Sequence, residues 1–161
     1  MKDGDKMNFL EVFMLSLIPT FEGRYAVVYG LGKGYPLAET VIASITGVIL
    51  LSFILPIMLP LIDKVMLSLE NSRLFLSKVA RLYLVYIEKT RKKAKPYVEK
   101  WGLIGLTIFV AIPLPGTGVW TGALAAYIFG MDRKIAIPAL ILGGIISIGI
   151  TALPTLGLLK I

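Results

Sequence analysis

The chain alternates apolar runs with short polar breaks, and two of the runs are interrupted at their centres. Phe9 to Pro19 is apolar, followed by Thr20-Phe21-Glu22-Gly23-Arg24 and then by apolar Tyr25 to Leu31. Gly32-Lys33-Gly34-Tyr35-Pro36 reads as a turn. Leu37 to Ile62 has 26 residues with one charge, Glu39, and is long enough to cross a bilayer. Pro56 and Pro60 predict a kink near its far end. A polar interlude, residues 63–100, leads to a second interrupted run, Leu103 to Met131. After the charged turn Asp132-Arg133-Lys134 comes another full-length apolar span, Ile135 to Leu159.

The centre of the second interrupted run reads Ala111-Ile112-Pro113-Leu114-Pro115-Gly116-Thr117-Gly118-Val119-Trp120-Thr121-Gly122. Pro113 and Pro115 lack donors and push the residues before them out of helix. Gly116 and Gly118 open backbone angles closed to other residues. The pattern predicts a helix from Gly102 to Ile112, a sharp break, and a second helix from about Val119. An arm of eleven residues is roughly 16 Å long, about half of a ~30 Å hydrocarbon core. Two such arms make a hairpin that enters the membrane and returns. Broken backbone in lipid is tolerated only where protein buries it or where it lines a polar cavity. The alternative is one kinked spanning helix with a glycine packing face.

The first interrupted run resembles the second. Ile18-Pro19 heads one break and Ile112-Pro113 the other. Each is followed by a glycine-bearing loop, an aromatic-containing arm, a charged turn and a long span. A weak repeat around interrupted hydrophobic segments is the signature of secondary transporters, with chance similarity between apolar segments as the alternative. The expected fold is therefore all-α and membrane-embedded. Two re-entrant helical hairpins and two transmembrane helices form an inverted repeat, joined by a basic amphipathic cytoplasmic helix. One integral domain covers residues 1–161: a first repeat over 1–62, the basic helix over 63–101 and a second repeat over 102–161.

Composition agrees. Apolar residues make up 57% and the mean hydropathy is +0.82, values of a membrane protein rather than a soluble core. There is no Cys, His or Gln. This excludes disulfides, thiolate sites and the usual zinc sites, and no metal or cofactor is expected. The scarcity of Asn, Gln and Cys is a thermophile's composition. Residues 63–100 hold ten Lys/Arg against four Asp/Glu, six of the seven net positive charges. The positive-inside rule makes this stretch cytoplasmic in a multi-pass protein of the cell membrane. Re-entrant hairpins then leave both termini outside and Arg133 and Lys134 inside. Four full spans, with both termini cytoplasmic, are the rival. Residues 1–8 lack the features of a signal peptide.

Within the interlude a helix is expected from about Leu69 to Lys95. Phe75, Val79, Leu82 and Tyr86 recur at helical spacing, as do Leu76, Ala80, Tyr83 and Ile87. Arg91-Lys92-Lys93-Ala94-Lys95 would meet anionic lipid head groups. The helix is interfacial or, in its last turns, a solvated linker. The membrane flank explains the basic run, and no nucleic-acid partner is expected.

Glu22 and Arg24 are the only charges between Glu11 and Lys33. Deep in a membrane, an ionisable residue is a functional candidate. Two apart, they would not face each other in a helix. A bend at Gly23 would pair them, or they point to different partners. The structural reading is a buried ion pair that fixes the fold. The second loop has no charge but offers Thr117, Thr121, the Trp120 indole and N–H groups after Gly116, shaped by Pro113, Pro115 and Gly118. Half-helices starting near Val119 and Gly23 would aim their positive ends inward, where anions bind. With the planar guanidinium of Arg24 they suit phosphate or carboxylate. Two roles are open to Glu22: neutralising Arg24 while the site is empty, or carrying a proton. Gly30-Leu31-Gly32-Lys33-Gly34 lacks P-loop spacing, and no catalytic triad is present, so an enzyme is not expected.

The motifs Glu22-Gly23-Arg24-Tyr25-Ala26 and Ile112 to Gly122 resemble the small multidrug export protein family, within the wider DedA-like membrane protein superfamily. The resemblance covers nearly the whole chain. Val27-Val28 follow Ala26 where that family usually has isoleucine and proline. The resemblance implies two re-entrant loops and, by superfamily relatives, recycling of polyprenyl-phosphate carriers or scrambling of phospholipids. The expected function is translocation of an anionic lipid or isoprenoid phosphate. A proton-coupled small-molecule or multidrug exporter, and a membrane scaffold with a structural Glu/Arg pair, are the alternatives. The expected partners are membrane lipid, a phosphate-bearing substrate and a second copy in a homodimer, with Gly47, Gly143 and Gly144 as close-approach faces.

Overall fold

A computed structural model describes residues 3–70 and 76–159. Among them are six helices: α1 (Asp3–Ser16), α2 (Glu22–Gly32), α3 (Leu37–Glu70), α4 (Leu76–Ala111), α5 (Val119–Ile128) and α6 (Arg133–Leu159). The described residues are all-α. Leu37–Ser68 and Arg133–Leu159 each hold an 18-residue stretch of high mean hydropathy, 2.5 and 2.2, and are long and apolar enough to cross a membrane.

Each half runs short arm, break, short arm, long helix. The first is α1, α2 and α3. The second is the end of α4, then α5 and α6. Gly102, at φ +52 and ψ −119, divides α4. The basic helix therefore runs to Trp101, and the hairpin arm follows Gly102 rather than starting on it. The expected end at Lys95 is six residues too early. Pro96 lies inside the helix, and an interior proline costs about 3 kcal/mol. Ala94 and Val98, buried on either side of it, hold the helix to the core. The expected start near Leu69 also shifts, because α3 continues to Glu70 through helix-forming residues with no breaker.

The packing is reciprocal. The second arm of each half packs on the long helix of the other: α2 on α6, and α5 on α3. The first arms lie along their own long helices, α1 on α3 and α4 on α6. Close approach comes from glycines. A Cβ on Gly47 would sit 1.7 Å from Ser16 Oγ, one on Gly143 2.7 Å from the Thr107 carbonyl, and one on Gly144 2.5 Å from Val48. These three glycines, read from sequence as faces between copies, serve contacts within the chain. They give no support to a dimer.

The two apolar stripes of the basic helix separate. Ala80, Tyr83 and Ile87 turn to the protein, while Val79, Leu82 and Tyr86 are exposed. Phe75 and the side chain of Leu76 lie outside the described residues. The far ends of the hairpins are tied by tyrosines. Tyr29 and Tyr35 donate to the Glu11 carboxylate at 2.6 and 2.5 Å. Tyr127 and Tyr83 donate to Asp63 at 2.7 and 3.2 Å. Burial and the Asp63 carboxylate push the Tyr83 phenol up, which keeps it a donor.

Candidate functional site

The two breaks meet. Residues 17–21 and 112–118 lie between short arms whose last carbonyls and first N–H groups have no helical partner. Each break satisfies the other. The Trp120 indole donates to the Leu17 carbonyl at 3.3 Å, closing the end of α1. Arg24 Nη1 donates to the Leu114 carbonyl at 3.2 Å and to Thr117 Oγ1 at 3.1 Å, with the Ile112 carbonyl at 3.4 Å. Arg24 Nη2 donates to the Thr117 carbonyl. A cation thus sits at the negative end of the α4 arm. Thr117 Oγ1 also accepts from the Leu114 N–H at 3.2 Å.

Glu22 closes the opposite end. Its carboxylate accepts from the N–H groups of Val119 at 3.3 Å and Trp120 at 3.2 Å, at the start of α5. The same carboxylate lies 3.5 Å from Arg24 Nε, and the two side chains are 4% and 5% exposed. The pair forms, and its members also hold separate partners. The bend that allows this is at Glu22, not at Gly23. Glu22 has φ +51, the left-handed region that is strained for a residue with a Cβ. Gly23 is a packing glycine, since a Cβ there would lie 2.8 Å from Val48 and 2.9 Å from Ile148.

Gly118 leads into α5 at φ +111. A Cβ on it would fall 2.0 Å from Glu22 Oε2 and 3.0 Å from Arg24 Nη2. Glycine at this position is what lets the carboxylate reach the helix start. Gly116, at φ +74, is exposed at the loop tip.

A cavity of about 480 Å³ opens beside the pair. The first break contributes Pro19, Thr20, Glu22, Arg24 and Tyr25, and the second Pro115, Gly116, Thr117 and Thr121. Tyr86 closes it from the basic helix. Of the residues singled out from sequence, Pro113, Gly118 and Trp120 shape the junction without lining this cavity.

Three contributors were not legible. Lys93 donates to the Pro115 carbonyl and clasps the loop tip. Its sequence signal, a basic run, reads as lipid contact. The Tyr25 ring lies 5.0 Å from the Arg24 guanidinium carbon, a cation–π contact. Tyr86 belonged to an apolar stripe. Only their place in the fold brings them here.

The arrangement holds a buried anion, supplied by the chain itself, on two backbone N–H groups and a guanidinium. Neither a curated protein nor a solved structure matches the chain. The sequence matches the family described as "Putative small multi-drug export protein" over residues 22–150, from the Glu22 that opens α2 well into α6, and the chain belongs to that family of membrane export proteins.

Proposed function

We propose that the protein moves an anionic, phosphate-bearing lipid, of the isoprenoid phosphate class, across the membrane through the junction of its two breaks. One observation carries this reading. The Glu22 carboxylate rests on the N–H groups of Val119 and Trp120 and beside Arg24, which is how a helix start binds phosphate. Glu22 is then the resident anion of an anion seat. A phosphate arriving through the cavity displaces it, and Glu22 returns when the phosphate leaves. A proton on Glu22 would have the same releasing effect, and would couple transport to protons. The cavity volume falls within the ~300–1,000 Å³ typical of small-molecule sites. The two breaks are re-entrant in this reading, and the halves are inverted.

A second reading has its own support. Arg24 satisfies the loop carbonyls so fully that the pair could serve the fold alone. The two are separated in proteoliposomes. A fluorescent isoprenoid phosphate should cross faster with the protein than without, and a neutral analogue with the same tail should not. No acceleration of either would favour the scaffold. Equal acceleration of both would remove the anion seat from the mechanism.

The membrane disposition has its own check. The chain has no Cys, so single cysteines at Lys2, Lys92 and Lys160 report cleanly. An impermeant reagent should label Lys2→Cys and Lys160→Cys from outside and Lys92→Cys only from inside. All three on one side would mean four full spans.

A further inference from the structure

Beside the large cavity lies a second, of about 250 Å³, lined by Tyr86, Lys89, Thr90, Lys93 and Gly116. Tyr86 and Gly116 also line the first, so the two share a wall of one phenol and one loop glycine. We infer that this outer cavity is a docking subsite for the phosphate of the substrate, with Lys89 as its principal cation. The inference rests on the transport reading above and extends it, placing an outer stop on the basic helix before the seat at Arg24.

The charges support this assignment. Lys89 and Lys93 are one turn apart, so both face the loop. Glu88 and Glu99 are the acidic residues nearest in the basic helix. Glu88 lies 3.9 Å from Arg91 and 3.8 Å from Lys92, and Glu99 lies 3.9 Å from Lys95. Among the described residues, no carboxylate pairs with Lys89, and none lines the outer cavity. Thr90, 4% exposed, also lines the cavity. Such a set suits a compact phosphate approached as a point charge, while the planar fork of Arg24 waits further in.

Lys93 joins the subsite to the loop. Its ammonium holds the Pro115 carbonyl, and a Cβ on Gly116 would come 3.3 Å from Nζ. A phosphate between Lys89 and Lys93 competes with that carbonyl and loosens the clasp on the tip of the second break. Docking in the outer cavity thereby opens the way to the inner one.

The test is binding of farnesyl phosphate to the full chain in nanodiscs, with inorganic phosphate as a second probe. Lys89→Gln should weaken farnesyl phosphate about tenfold or more, the effect of losing one hydrogen bond to a charged group. Lys78→Gln, with the same charge loss on the same helix but away from the loop, should leave binding unchanged. Equal weakening by both variants would reduce the effect to surface charge and overturn the subsite. Binding by the wild type that ignores Lys89→Gln would overturn the subsite and leave the transport reading standing. No binding of farnesyl phosphate by the wild type would remove both. Inorganic phosphate bound as tightly, with the same Lys89 dependence, would uphold the subsite but assign it to free phosphate instead of lipid.

Discussion

Arg24→Ala is expected to lose stability as well as transport, on the order of 3–5 kcal/mol. Truncation leaves the Thr117 carbonyl without its donor, takes one of several donors from the Leu114 carbonyl and Thr117 Oγ1, and strips Glu22 of its counter-charge. Thermal melting followed by tryptophan fluorescence measures the loss, with Trp120 at the junction as reporter. Arg24→Lys should recover only part of it. One ammonium on a point cannot reach acceptors spread along the loop and the carboxylate together. Wild-type melting of Arg24→Ala would mean that the second break is held by something other than Arg24.

Gly118→Ala is expected to be nearly as damaging, about 2–6 kcal/mol, the sum of backbone strain and overpacking. The added Cβ would fall 2.0 Å from Glu22 Oε2 at a backbone angle of φ +111. Either the carboxylate leaves the start of α5 or the loop moves. Gly116→Ala is the comparison. It also lies at positive φ, +74, but its nearest contact is the mobile tip of Lys93, at 3.3 Å. Its cost should be about 1–2 kcal/mol, that of a left-handed alanine alone. Melting of both variants gives the order. Equal melting temperatures would show that Glu22 does not occupy the helix start. The sequence presents the two glycines alike, as flexible residues in one loop, and only the fold separates them.

Periodicity and breakers made much of the architecture legible. Two prolines and two glycines place the second break, and Val119 starts α5 as expected. The long spans follow from uninterrupted apolar runs. Where local signals ran out, tertiary packing decided. The expected end of the basic helix, Lys95, falls just before Pro96, yet the buried face of Ala94 and Val98 carries the helix across that proline. Gly23 reads as a hinge between two charges, yet it is a contact glycine and the strained residue is Glu22. Gly47, Gly143 and Gly144 read as faces between copies, yet each is met by a neighbour within the chain. Glu22 and Arg24 stand out because charge in an apolar run is rare. Their partners do not, since these are carbonyls and N–H groups that every residue carries, about 90 positions away in the chain.

The central proposal is that phosphate displaces the Glu22 carboxylate from its seat. Infrared difference spectroscopy on the reconstituted protein observes that carboxylate directly. Adding farnesyl phosphate should shift a carboxylate stretching band, and the shift should be missing from Glu22→Gln protein that still binds the ligand. A bound ligand with no change in any carboxylate band, or the same band change in Glu22→Gln, would contradict the exchange.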